Sequence, residues 1–188
     1  MAASRRLKGG RLKNRKTALN DTEGTAMTMQ ISSPAFNHNE MMPALYTCEG
    51  PNISPPLAWT APPAGTKSLV LISDDPDAPD PAAPKMVWVH WVLYNIPPET
   101  RSLPEGVADE ALPEGTTAGT NDRQHAGWTG PCPPIGVHRY YFKLYALDTL
   151  LPDIGHATKP EVLKQMEGHI LAQTEMIGLY IRKENIGK

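Results

Sequence analysis

The stretch VWVHWVLYNI, Val87 to Ile96, decides the architecture. It is rich in β-branched and aromatic residues and apolar at both parities, which describes a central strand covered on both faces. His90 lies inside it and, on a period of two, shares a face with Trp88, Val92 and Tyr94. Upstream, Lys67 to Ser73 (KSLVLIS) is a short apolar run that ends at the turn-forming DDPDAPDP, as a buried strand should. Downstream, His138 to Asp148 (HRYYFKLYALD) alternates. It places His138, Tyr140, Phe142, Leu144 and Ala146 on one face and Arg139 and Lys143 among those on the other.

The connections between these strands are proline-rich. Proline makes up 20 of 188 residues, about twice its average usage, and it is excluded from helix interiors and central strands. Pro34 to Pro63 reads as loop-rich and carries YTCEG and SPPLAW; Thr100 to Pro134 has no period, and so long a loop is usually functional or mobile. One helix is predicted, from about Lys159 to Thr174. Thr158 and Glu161 form a capping box, Pro160 sits in the tolerated first turn, and Val162, Leu163, Met166 and Ile170 make an apolar stripe. A short strand from Ile177 to Ile181 closes the chain. The sum is a mainly β sandwich with a C-terminal helix, one domain over residues 29–188. Residues 1–28 read as a basic, disordered extension, because Met1 to Asn20 carries Lys and Arg, no acid and no apolar period.

Composition narrows the function. A net charge of -2 and a pI near 6.3 give no basic footprint, so nucleic acid is not an expected partner. No run approaches the roughly 20 apolar residues of a membrane span, and the N-terminus has no apolar h-region, so a cytoplasmic protein without a membrane span is expected. Cys48 and Cys132 are too few for a disulfide framework and lack zinc-site spacing; a single long-range bridge stays open.

Three distant segments place polar groups at or inside apolar strands: Asp74, Asp75 and Asp77 in the DPDAP turn, His90, and His138 after GPCPPIG. Taken singly, turn aspartates usually bond the local backbone, and a strand histidine is more often a satisfied core residue. Their convergence would make a polar pocket.

The motifs YTCEGPNISPPLAW, DPDAP, WVHWVLYNIP, GPCPPIGVHRYYFKLYALD and EVLKQMEGHILAQ, in that order from about Met29 to Arg182, resemble the phosphatidylethanolamine-binding protein family, specifically its bacterial and archaeal Raf-kinase-inhibitor-like branch. The resemblance implies a Greek-key antiparallel β-sandwich with a small pocket for phosphate, phosphoethanolamine or a phospholipid headgroup. It places the pocket carboxylates at Asp75 and Asp77, the strand histidine at His90, the rim at Gly130 and Pro131, and a further pair at His138 and Tyr140. Cys132 stands where mammalian members have a second proline, which bears on rim shape. It also implies a homodimer. In such a site His138, His90 and Tyr140 would donate to phosphate oxygens, and one aspartate would hold a histidine.

The expected activity is therefore non-enzymatic anion binding, without cofactor or metal. One alternative is a metal-dependent enzyme using Asp75, His90 and His138, since a carboxylate and two histidines are also a non-haem iron ligand set. Hydrolysis is no better supported: there is no G-x-S-x-G elbow, P-loop or H-E-x-x-H. The other alternative is an inhibitor of a kinase or protease, with Thr100 to Pro134 as the surface for the partner.

Overall fold

The computed structural model describes residues 28–187, so all but Thr28 of the basic extension lies outside the described residues. In chain order the elements are β1 (Ile31–Ser32), β2 (Glu40–Met41), β3 (Leu57–Trp59), β4 (Ser68–Ala78), β5 (Met86–Ile96), β6 (Ser102–Leu103), β7 (Thr117–Ala118), β8 (His138–Leu147), α1 (Lys159–Met166) and β9 (Ile170–Tyr180). A six-stranded sheet has the order β2-β9-β8-β4-β5-β7, and β1-β3-β6 form a small second sheet. The run β8-β4-β5-β7 is a Greek key, in which the fourth strand returns to lie beside the first. Among these strands the pairings are antiparallel except that of β2 with β9.

Two apolar cores flank the large sheet, as its doubly apolar central strands require. Leu69, Leu71, Trp91, Leu93, Phe142 and Leu144 face the small sheet, while Val70, Ile72, Val92, Tyr94, Val162 and Met166 form the core under α1. The alternation read in β8 holds: Tyr140, Phe142, Leu144 and Ala146 all lie in the first core.

Three sequence expectations need correction. The DDPDA segment is not a turn. β4 continues through it to Ala78, and Pro76, which has no N–H to donate, sits where the register slips between Asp75↔Trp88 and Ala78↔Met86. Second, His90 does not share a face with Val92 and Tyr94. Pairing passes from Ser73↔Trp91 to Asp74↔Val89, so His90 is the extra residue of a β-bulge and turns toward the first core's side with Trp91. Both rings face Trp128, at centroid distances of 6.2 and 5.7 Å respectively. Third, α1 is shorter than predicted and β9 longer. The Thr158 N–H donates to Glu161 Oε2 at 2.8 Å as the capping box requires. At the other end Gly168 takes φ +79°, a left-handed conformation that ends helices. From Ile170 onward the chain pairs with β8, and β9 runs on to Tyr180.

Candidate functional site

The pocket forms where β4, β5 and β8 end together beneath the Gly130–Pro134 segment. Asp75 comes from β4, Trp88 and His90 from β5, His138 and Tyr140 from β8, and Gly130, Cys132, Pro133 and Pro134 close one side. Arg123, Met86, Ala78 and Pro79 complete a cavity of about 210 Å³.

Asp75 and His138 are its most tightly bound pair. His138 Nδ1 lies 2.7 Å from Asp75 Oδ2, and Nε2 lies 3.0 Å from the Ile135 carbonyl oxygen. Both partners accept hydrogen bonds, which is the environment of an imidazolium. Burial opposes the charge, but the Asp75 hydrogen bond and charge, with Ile135 and Asp77, raise the pKa of His138 above its ordinary value. His138 is 1% exposed and both its N–H groups are engaged, so it orders the pocket wall rather than presenting a donor.

His90 is the opposite case. Its Nδ1 lies 2.7 Å from the Thr129 carbonyl oxygen, which fixes the proton on that nitrogen, and its Nε2 is buried with no partner. Burial pushes its pKa down, against the Thr129 carbonyl and the Asp75 charge, so the ring is held neutral with a bare nitrogen. Tyr140 packs edge-on to it at 5.2 Å and stacks on His138 at 6.3 Å. The Tyr140 hydroxyl is also buried without a partner, and burial together with Asp75 and Asp77 raises its pKa, so it stays a neutral donor. Two residues that line one cavity thus each carry an unpartnered buried polar atom, which calls for a ligand or water to complete it.

Not all the residues singled out in the sequence converge here. Asp77 does not line the cavity. Its carboxylate accepts from the Arg139 backbone N–H at 2.9 Å and from the guanidinium at 2.9 and 2.7 Å, and these bonds hold its pKa below the usual carboxylate range despite burial. Asp74 points to the other face and binds Lys143 and Lys159. Pro131 contributes through its backbone, its carbonyl accepting the Cys48 N–H at 3.0 Å. Gly130 is forced to be glycine by close approach: a Cβ would stand 2.2 Å from the Tyr46 oxygen and 2.3 Å from Asn52 Oδ1.

The rim is tied from several directions. Cys132 is disulfide-bonded to Cys48, with Cα atoms 5.4 Å apart, so the bridge left open by the sequence is formed. Gly130 N–H donates to Asn52 Oδ1 at 2.8 Å, and Asn185 Nδ2 donates to the Pro134 carbonyl at 2.9 Å. Sequence reasoning did not select Trp88, Arg123 or Met86 for the pocket. The one available sign was a basic residue directly after the turn-formers Asn121 and Asp122 in a long loop.

Among the described residues no group of three His, Cys, Asp or Glu side chains is placed to hold a metal ion. Asp75, His90 and His138 do not make such a set, since both nitrogens of His138 are already engaged.

A Greek-key sandwich with a small His/Tyr pocket at one end of its large sheet defines the class of fold, a two-sheet β domain with one short helix. Residues 32–181 match the model of the phosphatidylethanolamine-binding protein family, and the chain belongs to that family. A protein of Methanothermobacter thermautotrophicus described as UPF0098 is 52% identical over 155 residues, covering 82% of this chain and 99% of its own. The crystal structure of a Chlamydia trachomatis protein described as a phosphatidylethanolamine-binding protein homolog superposes with a TM-score of 0.76 at 40% identity, covering 83% of this chain and 99% of that one. Escherichia coli YBCL, described as a member of the mammalian family, gives 0.74 at 32% identity, covering 82% and 99%.

Proposed function

We propose that the pocket binds a small phosphate-bearing anion, such as phosphate, phosphoethanolamine or a phospholipid headgroup, and performs no chemistry on it. The observation that carries this reading is the pair of unpartnered buried atoms, Tyr140 Oη and His90 Nε2, on two residues that line a cavity sized for such a group. Tyr140 supplies a hydroxyl donor. His90 Nε2 accepts from a ligand N–H or, once protonated, donates to a phosphate oxygen. The Asp75–His138 pair presents no net charge to repel an anion. Against catalysis stands the state of the two histidines: His138 is committed on both nitrogens, and the bare Nε2 of His90 has no acid or nucleophile hydrogen-bonded to it.

Titration calorimetry with phosphoethanolamine on the parent and on Tyr140→Phe tests this. Millimolar or tighter binding weakened by the substitution supports it, and the absence of heat in the parent overturns it. The same protein samples, assayed for metal by elemental analysis, would return to the enzyme reading if one iron or zinc per chain were found and lost in His90→Ala.

A protein partner, such as a kinase or protease, is favoured by apolar residues beside the pocket mouth: Met86, Ile135 and Val137 are 48, 51 and 43% exposed. Loss of a captured partner on adding phosphoethanolamine would tie that role to the pocket. We extend the homodimer from the family resemblance to this chain, to be checked by light scattering. We also assign the chain to the cytoplasm; no helix among the described residues is long and apolar enough to cross a membrane. The Cys48–Cys132 bridge weighs against that assignment, because disulfides persist chiefly in oxidising compartments and in hyperthermophile cells. Alkylation trapping in intact cells decides between them.

A further inference from the structure

The charges around the pocket do not balance for an anion unless Arg123 is counted. Asp75 and His138 neutralise each other at 2.7 Å. His90 is held neutral. Arg139, one residue along β8, is spent on Asp77. Among the described residues Arg123 is the one lysine or arginine lining the cavity, and its guanidinium has no hydrogen-bond or ion-pair partner there. It lies over the Trp88 ring, 5.8 Å from Cζ to centroid, and Trp88 also lines the cavity.

The turn that carries Arg123 is built to hold still. Buried Asn121 accepts the Arg123 N–H on Oδ1 at 2.9 Å and donates from Nδ2 to the Gly127 carbonyl at 2.9 Å. Asp122 is fastened to β5 at Val89, whose N–H reaches Asp122 Oδ2 at 2.7 Å while the Asp122 N–H reaches the Val89 carbonyl at 3.0 Å. The Asn121 N–H donates to the His125 carbonyl at 3.0 Å. An exposed arginine is thus presented from a fixed backbone beside the strand that carries Trp88 and His90.

We infer that Arg123 makes the pocket selective for phosphate monoesters over phosphodiesters. This rests on the anion-binding reading above. A guanidinium engages two oxygens at once as a fork, and the Tyr140 hydroxyl supplies one further donor. Three donors match the three terminal oxygens of a monoester dianion. A diester has two terminal oxygens and one negative charge, so it leaves a donor unmatched and gains less from the guanidinium. The ligand class is accordingly a phosphorylated small molecule or side chain bearing a terminal phosphate, with Arg123 as its specificity determinant.

The test is calorimetry at about pH 8, where the second phosphate ionisation near pH 6 is complete. Phosphoethanolamine and glycerophosphoethanolamine are titrated into the parent, Arg123→Gln, Arg123→Lys and Tyr140→Phe. The parent should bind the monoester at least about tenfold more tightly than the diester. Arg123→Gln should weaken the monoester roughly tenfold to a hundredfold, the scale of a charge-assisted pair, and bring the two ligands level. Arg123→Lys, which keeps the charge and loses the fork, should fall between. Arg123 is exposed, so these variants fold, and their melting temperatures without ligand check that. Equal weakening of both ligands in Arg123→Gln, or no weakening while Tyr140→Phe does weaken, overturns the assignment of selectivity and leaves the pocket standing. No binding of either ligand by the parent overturns the anion pocket itself.

Discussion

His138 Nδ1 meets Asp75 Oδ2 at 2.7 Å across 63 residues of sequence, joining the far end of β4 to the start of β8. The bond lies beyond the last paired rung between those strands, Asp74↔Tyr141. The side chains therefore continue a ladder that the backbones have left, and the pocket wall is made of that continuation.

Replacing His138 with Gln should destabilise the protein in a pH-dependent way. A pKa raised by folding means that the folded state holds the proton more tightly, so the contribution is fully present below the unfolded value of about 6.5 and is lost as pH rises through the higher folded value. The parent's advantage over His138→Gln, read from urea unfolding, should be about 3–5 kcal/mol near pH 6 and shrink toward alkaline pH. A gap that widened with pH would contradict the imidazolium assignment.

His90 should govern the pH dependence of anion binding, since His138 has no free N–H. Burial lowers the pKa of His90 in the empty pocket, and an oxyanion at Nε2 raises it, so binding takes up a proton between the two values. Sulfate, whose charge does not change in this range, should raise the melting temperature most at mildly acidic pH and progressively less toward alkaline pH. In His90→Gln the shift should be flat with pH. An unchanged profile in that variant would move the titrating group elsewhere.

The strands that frame the site were legible because burial on two faces writes itself as continuous apolar sequence in Val87 to Ile96, and burial on one face as the alternation of His138 to Ala146. The bulge at His90 was not. A two-residue period assumes an unbroken register, and nothing in WVHWV marks where one residue is to be skipped. DDPDA reads as a turn because its residues are turn-formers. In the structure the Asp77 side chain bonds the Arg139 backbone and replaces a ladder hydrogen bond, a compensation that depends on a residue 62 positions away. The N-cap of α1 was local and read correctly, whereas its end depended on the pairing of Ile170 with Leu147. The pocket position of Arg123 is not legible in the sequence, because it comes from the long-range tie of Asp122 to Val89.

Reducing the Cys48–Cys132 bridge should cost stability more than binding. The bridge closes a loop of 84 residues, and cross-links of that span stabilise by about 2–4 kcal/mol through the unfolded state. That corresponds to a fall of roughly 5–15 °C in melting temperature for a chain of this size. The rim keeps its hydrogen bonds from Cys48 N–H to Pro131 and from Gly130 N–H to Asn52, so phosphoethanolamine affinity should change by less than about threefold. Calorimetry with and without a dithiol reductant separates the two effects, and a loss of binding without a loss of stability would contradict this division.

Asp77→Asn should likewise spare binding while weakening the fold, which distinguishes it from its neighbour Asp75. The carboxylate is buried, 4% exposed, and takes three hydrogen bonds from Arg139, none of them facing the cavity. Half of the Arg139 side chain is exposed at 50%, so solvent screening reduces the pair's worth to about 1–2 kcal/mol. Because folding lowers the Asp77 pKa, that stabilisation is present above the unfolded value of about 3.9 and is lost as pH falls through the folded one. The variant should therefore melt several degrees below the parent at neutral pH, and the gap should narrow under strongly acidic conditions. Its phosphoethanolamine affinity should equal the parent's, whereas Asp75→Asn, which removes the acceptor charge beside His138, should alter affinity as well as stability. If Asp77→Asn abolished binding at unchanged melting temperature, the carboxylate would belong to the ligand and not to the strand.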